Sequence, residues 1–404
     1  MPTDDIETTF ELLASLPAQL SCSPCVAHKH EILICGYYRN NECYSYHTLK
    51  NQYKRICCYP QGIRLLGHSV VKLMSNDNPN AVTLLSFGGD VKHTLVMEYV
   101  SVWDEERKGE RLGSGRKKSC NEWVPLIDTI SSNPVSIGRD EDNYDGVRAV
   151  IGGSSNHLLF ITYRENNIDV FNLKTLQYVK HSTFPTVHDV CYHCLVINKT
   201  DHKRACMWKK QTEMTLFCEK TGLSIVYDEQ DNTFQMNKLW VCTTMRTIIK
   251  YAYVCVDNFI LFFGGRDYNS LTASKAVYKY SMKDDKWTKF ERTLPLPLSG
   301  CVGVLSQDHA FVHILGGDDG SDKLLTHVKT NVVEWTRQET NVEQLWAIQE
   351  EEKKDIEEVK VDVEGIEGDI TIKKLKVYFF FNDFISKKKK KKKLKNIYIK
   401  KKKN

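Results

Sequence analysis

Apolar residues fall in short runs broken by polar turns, and many runs alternate apolar with polar positions, the period of half-buried strands. One phrase recurs. It is an apolar strand, a polar turn, a second apolar strand ending in glycine, a loop, an alternating strand with Tyr and a strand with Trp. In the clearest copy, strands at 251–256 and 259–263 flank the turn Asp257-Asn258. Gly264-Gly265 ends the second strand, 276–280 is the third and 287–290 the fourth, led by Trp287. The next copy has strands at 302–305 and 310–315, the pair Gly316-Gly317, a third strand at 326–328 and Trp335 marking the fourth.

The phrase continues towards the N-terminus with decay. Residues 81–87 lead into Gly88-Gly89 and later Trp123, and 32–35 lead into Gly36. Two central copies lose the glycines: 158–162 ends at Tyr163-Arg164, and 214–218 at Glu219-Lys220. Gly152-Gly153 is out of phase and reads as a hairpin turn. A hydrophobic-Pro pair precedes most units: Leu16-Pro17, Tyr59-Pro60, Val124-Pro125, Phe184-Pro185 and Leu294-Pro295. Proline cannot donate to a central ladder, so it belongs at connections between sheets.

Six units of four short strands predict an all-β fold: a six-bladed β-propeller of four-stranded antiparallel blades over 8–337. The repeat resembles the kelch family of propellers, carried by the Gly-Gly pairs and by Tyr280 to Trp287 and Val328 to Trp335, equally spaced. Gly36, Gly88, Gly89, Gly264, Gly265, Gly316 and Gly317 then allow close approach of the inner strands. Trp123, Trp287 and Trp335 read as packing between blades. Closure stays open at this point: 10–13 resembles an outer strand, yet Trp335 claims the same place.

The segment 338–364 reads as a charged helix, with Val342, Leu345, Trp346, Ile356 and Val359 at helical spacing and Asn341 with Gln344 as the capping pair. Long surface insertions are expected at 104–120 and 131–145.

Charge changes the picture only once it is divided. The net charge of the 404 residues is +5, but 387–404 holds 12 of the 56 basic residues and no acid. The remainder therefore has 44 basic against 51 acidic residues and is near −7. A whole-protein argument for nucleic acid fails at that step. The Lys-rich segment 365–404 is expected to be disordered. Two readings of it stay open, a basic tail for nuclear import, RNA or acidic lipid, and translated AT-rich non-coding sequence.

No membrane span or signal peptide is read, so the expected location is cytoplasmic, or nuclear if the tail is genuine. In that setting the 14 cysteines stay reduced. Cys191 and Cys194, near His188, His193, His202 and Cys206, invite a zinc reading. An offset of three in a strand would send the two thiols to opposite faces, so no metal and no cofactor is assigned.

No phosphate-binding glycine loop, nucleophile elbow or zincin motif is present, and no catalytic residue is assigned. The expected function is a non-catalytic interaction scaffold, binding a protein or peptide through loops at the channel mouth. The candidate contacts follow the second strands, Tyr37, Asp90, Arg164, Lys220, Arg266 and Asp318, with Arg64, His188 and Arg246 on the loops entering the first strands. Their mixed signs suit a protein better than a polyanion. The rival is an enzyme, a lyase, hydrolase or oxidase, with its site on the propeller face. Its mark would be convergent acids, or His with Tyr, about 3 Å apart at the mouth.

Overall fold

The computed structural model describes residues 9–38, 40–73, 81–104, 120–198 and 210–364, with side chains as far as 358. The chain divides into two compact units, Met1–Glu351 and Glu352–Asn404. The first holds six four-stranded antiparallel sheets, which are the six blades.

Blade I is Cys25–His28, Glu31–Tyr37, Asn40–His47 and Gln52–Cys58. Blade II is Ser69–Leu73, Ala81–Phe87, Thr94–Val100 and Val124–Pro125. Blade III is Arg148–Gly152, Leu158–Tyr163, Asn167–Asn172 and Gln177–Thr183. Blade IV is Cys194–Ile197, Gln211–Cys218, Thr221–Asp228 and Thr233–Lys238. Blade V is Ala252–Val256, Phe259–Phe263, Val277–Ser281 and Lys286–Lys289. Blade VI is Val302–Leu305, Phe311–Leu315, His327–Asn331 and, from the N-terminus, Glu11–Leu12.

The second strands are buried on both faces, which explains their near-continuous apolar runs. The core is a ring of layers, one between each pair of neighbouring blades. Leu33 and Cys35 of blade I meet Leu84 and Met97 of blade II. The same arrangement joins II to III, III to IV, IV to V, V to VI and VI to I. Trp123 stacks on Tyr59 across the I–II layer, 4.7 Å between ring centroids. Trp287 crosses the IV–V layer and donates its indole N–H to the Trp240 carbonyl, 2.8 Å.

Closure resolves in favour of the N-terminal strand. Glu11 pairs with Lys329 and Leu12 with Val328, so the first strand completes the last blade. This corrects the reading of Trp335 as a fourth-strand residue. Trp335 lies in a single helical turn, α1 (Val333–Thr336). There it is fully buried against Phe10, Phe263 and Phe290, a packing role without the strand. The periodicity could not separate the two, because both segments bring an aromatic side chain to the same layer.

The helix α2 (Asn341–Glu364) begins at the residue predicted as its cap, so the cap itself falls one residue earlier. Thr340 Oγ1 accepts the Glu343 N–H at 3.2 Å, and Glu343 Oε2 accepts the Thr340 N–H at 2.9 Å. The capping box is therefore Thr340 with Glu343, not Asn341 with Gln344. The predicted apolar face also differs. Val342 and Leu345 are exposed, whereas Glu343, Ala347 and Glu350 are buried.

The insertion 104–120 and the tail 365–404 lie almost wholly, or wholly, outside the described residues. The connection 131–145 is held from blade II by the Lys92 ammonium, which donates to the carbonyls of Arg139, Asp140 and Asp142.

Candidate functional site at the channel mouth

The inner strand of each blade begins on the face where each second strand ends, so both sets of connections gather at one mouth. Just before the inner strands stand Cys22, Gly67, Gly146, Tyr192, Lys250 and Gly300. All six have left-handed backbone, with φ of 54°, 69°, 76°, 49°, 52° and 66° in that order. They are linked blade to blade through the main chain. Cys22 N–H donates to Gly300 O at 2.7 Å, and Gly300 N–H to Lys250 O at 2.8 Å. On the other side Tyr192 N–H donates to Gly146 O at 2.9 Å, and Gly146 N–H to Gly67 O at 3.0 Å.

At three positions a Cβ would crowd its neighbours. On Gly67 it would lie 2.3 Å from Gly146 N and on Gly146 2.8 Å from Tyr192 N, both main-chain atoms, and on Gly300 2.4 Å from the Ser21 hydroxyl, which can turn away. The other three carry side chains despite a backbone that costs an L-residue on the order of 1–3 kcal/mol. Cys22, Tyr192 and Lys250 therefore mark where this mouth departs from a bare glycine ring.

Arg148, first residue of the blade III inner strand, joins them. It is half-buried, and its guanidinium donates to the Val147 carbonyl at 3.0 Å. Its guanidinium carbon is 5.7 Å from the Tyr192 ring centre, and the Lys250 ammonium is 5.3 Å from the same ring. Among the described residues, neither cation forms an ion pair with a carboxylate. The nearby acids are engaged elsewhere. Asp145 accepts the Tyr192 hydroxyl at 2.6 Å and pairs with Arg164 at 3.1 Å, and Arg164 also pairs with Asp189 at 2.7 Å. Burial pushes the Cys22 thiol up in pKa against the pull of Lys250 and Arg148. The Tyr192 phenol is likewise raised, by burial first and by Asp145. The centre thus holds a neutral thiol, a neutral phenol and two cations with no carboxylate partner among the described residues.

The residues predicted for this face lie around its rim. Arg64 and Asp90 pair with each other, exposed, at 3.6 Å. Lys220 is exposed. Arg246 stacks on Trp240 at 4.3 Å, and His188 is half-buried. Arg266 sits in a two-stranded ribbon with Ile249 and donates to Leu271 O at 3.0 Å. Asp318 bridges Ser299 through the main chain, both bonds 2.8 Å. Tyr37 is buried, with the Lys323 ammonium 4.4 Å from its ring centre. None of these side chains meets another from this set except Arg64 with Asp90. Arg148, Tyr192, Lys250 and Cys22 escaped the sequence reading. The one signal for them was a glycine just ahead of an apolar strand, at Gly67, Gly146 and Gly300, and it is missing where the side chains are.

A Tyr–His contact of 2.6 Å does occur, between Tyr53 and His327, but it is buried between blades I and VI. Cys194 is buried at the start of the blade IV inner strand, and Cys191 precedes it on the mouth side. Among the described residues, no group of three or more His, Cys, Asp or Glu is placed to hold a metal ion. No helix among them is long and apolar enough to cross a membrane.

No family model matches this sequence, and no curated protein matches it. The fold is similar to that of a solved structure titled "Structure of YjhT". The identity is 12 %, covering 79 % of this chain and 96 % of that one, with a TM-score of 0.53. That likeness extends to the propeller fold.

Proposed function

We propose that this propeller is a kelch-type, non-catalytic interaction module. It takes a protein or peptide partner on the glycine-bearing mouth, with an acidic side chain of the partner seated by Arg148 and Lys250. The observation that carries this reading is the pair of cations at the centre of the face, neither with a carboxylate partner among the described residues, beside acids that are already engaged with Arg164 and Tyr192. A half-buried guanidinium without a counter-ion is costly, and a partner carboxylate offsets that cost. The rim charges are spread over separate blades, which suits an extended contact with a central anchor better than one small substrate. A cytoplasmic location fits the free cysteines, Cys22 and Cys301 among them.

The test is a photo-crosslinking residue introduced at Lys220 or Arg64 in the native cell. A discrete adduct is expected, reduced at least about tenfold by the double change Arg148→Glu, Lys250→Glu. Adducts formed only from Leu49, on the opposite face, would overturn the proposal, as would adducts indifferent to the charge reversal.

A further inference from the structure

Blade I carries three cysteines in one row. Cys35 lies directly opposite Cys43, and Cys43 directly opposite Cys57. Directly opposed residues of an antiparallel pair share a face, and all three pack in the layer between blades I and II. Opposed Cα atoms are about 4.5–5.5 Å apart, inside the roughly 4.4–6.8 Å that a disulfide spans. The register alone brings Cys43 and Cys57 within bonding reach. A bulge beside Cys43 gives that pair extra local twist.

Exposure ranks the three. Cys35 and Cys43 are buried, while Cys57, on the outermost strand, is half-exposed. An oxidant from solvent therefore meets Cys57 first. The Trp123 indole N–H donates to Cys43 Sγ at 3.3 Å, and Cys57 Sγ lies 3.7 Å from Met97 Sδ, so the pair is walled by aromatic and thioether groups.

The geometry points to Cys57 as a peroxide-reactive thiol and Cys43 as its resolving partner, closing a cross-strand disulfide in blade I. The Cys57 thiolate attacks the peroxide O–O bond, becomes a sulfenic acid and releases hydroxide (alcohol from an organic peroxide). Cys43 then attacks that sulfur, its proton leaves with the sulfenic oxygen as water, and the S–S bond forms. Each peroxide accepts two electrons, which the two thiols supply. The electrostatics favour the same roles. The neighbouring Cys43 thiol and Arg55 hold the Cys57 thiol below its usual range, while burial holds Cys43 well above it.

The test uses the full chain, reduced and then treated with hydrogen peroxide at a few equivalents. The expected product is about 2 Da lighter, reverts with dithiothreitol and yields a peptide linking Cys43 to Cys57. In Cys43→Ala the link is lost, and dimedone captures Cys57 instead. In Cys58→Ser, which removes the neighbouring exposed thiol, the link persists. The link should also form faster in the folded chain than in urea, a comparison that needs no variant. Oxidation of Cys58 or Cys120 ahead of Cys57 would overturn the inference. So would a Cys35–Cys43 link, or equal rates in the folded and unfolded chain.

Discussion

Six residues with left-handed backbone set the chemistry of the mouth, and they predict opposite mutational signs at equivalent positions. Gly146→Ala drives a Cβ against the Tyr192 main chain, so a loss of at least about 2 kcal/mol is expected. Lys250→Gly relieves a strained residue, so a gain of up to about 1 kcal/mol is expected, together with weaker partner binding. Urea midpoints check both. The buried histidines predict a pH dependence. Burial lowers His68 to about 3 and His93 and His313 to about 4, and it places His193 and His327 well below the ordinary value. The unfolded chain therefore takes up protons that the folded chain refuses. Stability should be full above about pH 6.5 and fall as the pH drops towards 4, with a slope near 1.4 kcal/mol per pH unit for each proton of difference. His313 and His327 share one hydrogen bond, 3.0 Å, at the VI–I layer. His313→Gln should flatten the slope of urea stability against pH, and an unchanged slope would assign the acid sensitivity to other groups.

At the scale of the element, the strands were legible and their partners less so. Three Gly-Gly pairs after apolar runs marked blades II, V and VI, because the chain is crowded where those strands end: a Cβ on Gly264 or Gly316 would lie 2.3 or 2.6 Å from a main-chain oxygen. Blades III and IV had no such mark, and the period-two pattern of apolar positions carried them. The candidate site was less legible, since its four central residues are of four types and only three of them, Cys22, Tyr192 and Lys250, share a left-handed backbone. The α2 face was misread for another reason. Hydrophobic periodicity assumes that burial follows apolarity, but Glu343 is buried because it is saturated with donors. Arg337 reaches it at 2.7 Å, and the main-chain N–H groups of Thr340 and Glu291 add two more bonds. Burial pushes that carboxyl up, and those donors hold it below its usual range all the same. Thr340→Ala should cost about 1 kcal/mol through the capping box. Trp335→Ala, which empties the V–VI layer, should cost about 3–5 kcal/mol. Thermal melts of the two variants should rank in that order.

On the scale of the whole molecule, the ring has one seam, where Glu11 pairs with Lys329 in register and through a 3.0 Å ion pair. A chain lacking residues 1–13 would expose the edge of His327–Asn331. It is expected to associate through that edge, which light scattering after gel filtration would detect as dimers or larger species. The seam also orders events in time. At about 5–20 residues per second, a ribosome adds Val328 roughly a quarter of a minute to a minute after Leu12. The first strand must wait, unpaired, while five blades take shape behind it. Each blade can settle as it emerges, yet the ring cannot lock until almost all of the propeller has been made. For this protein the last step of folding is a meeting between its oldest and its youngest strands, and holding the oldest one free until then is a task for the nascent chain or a chaperone.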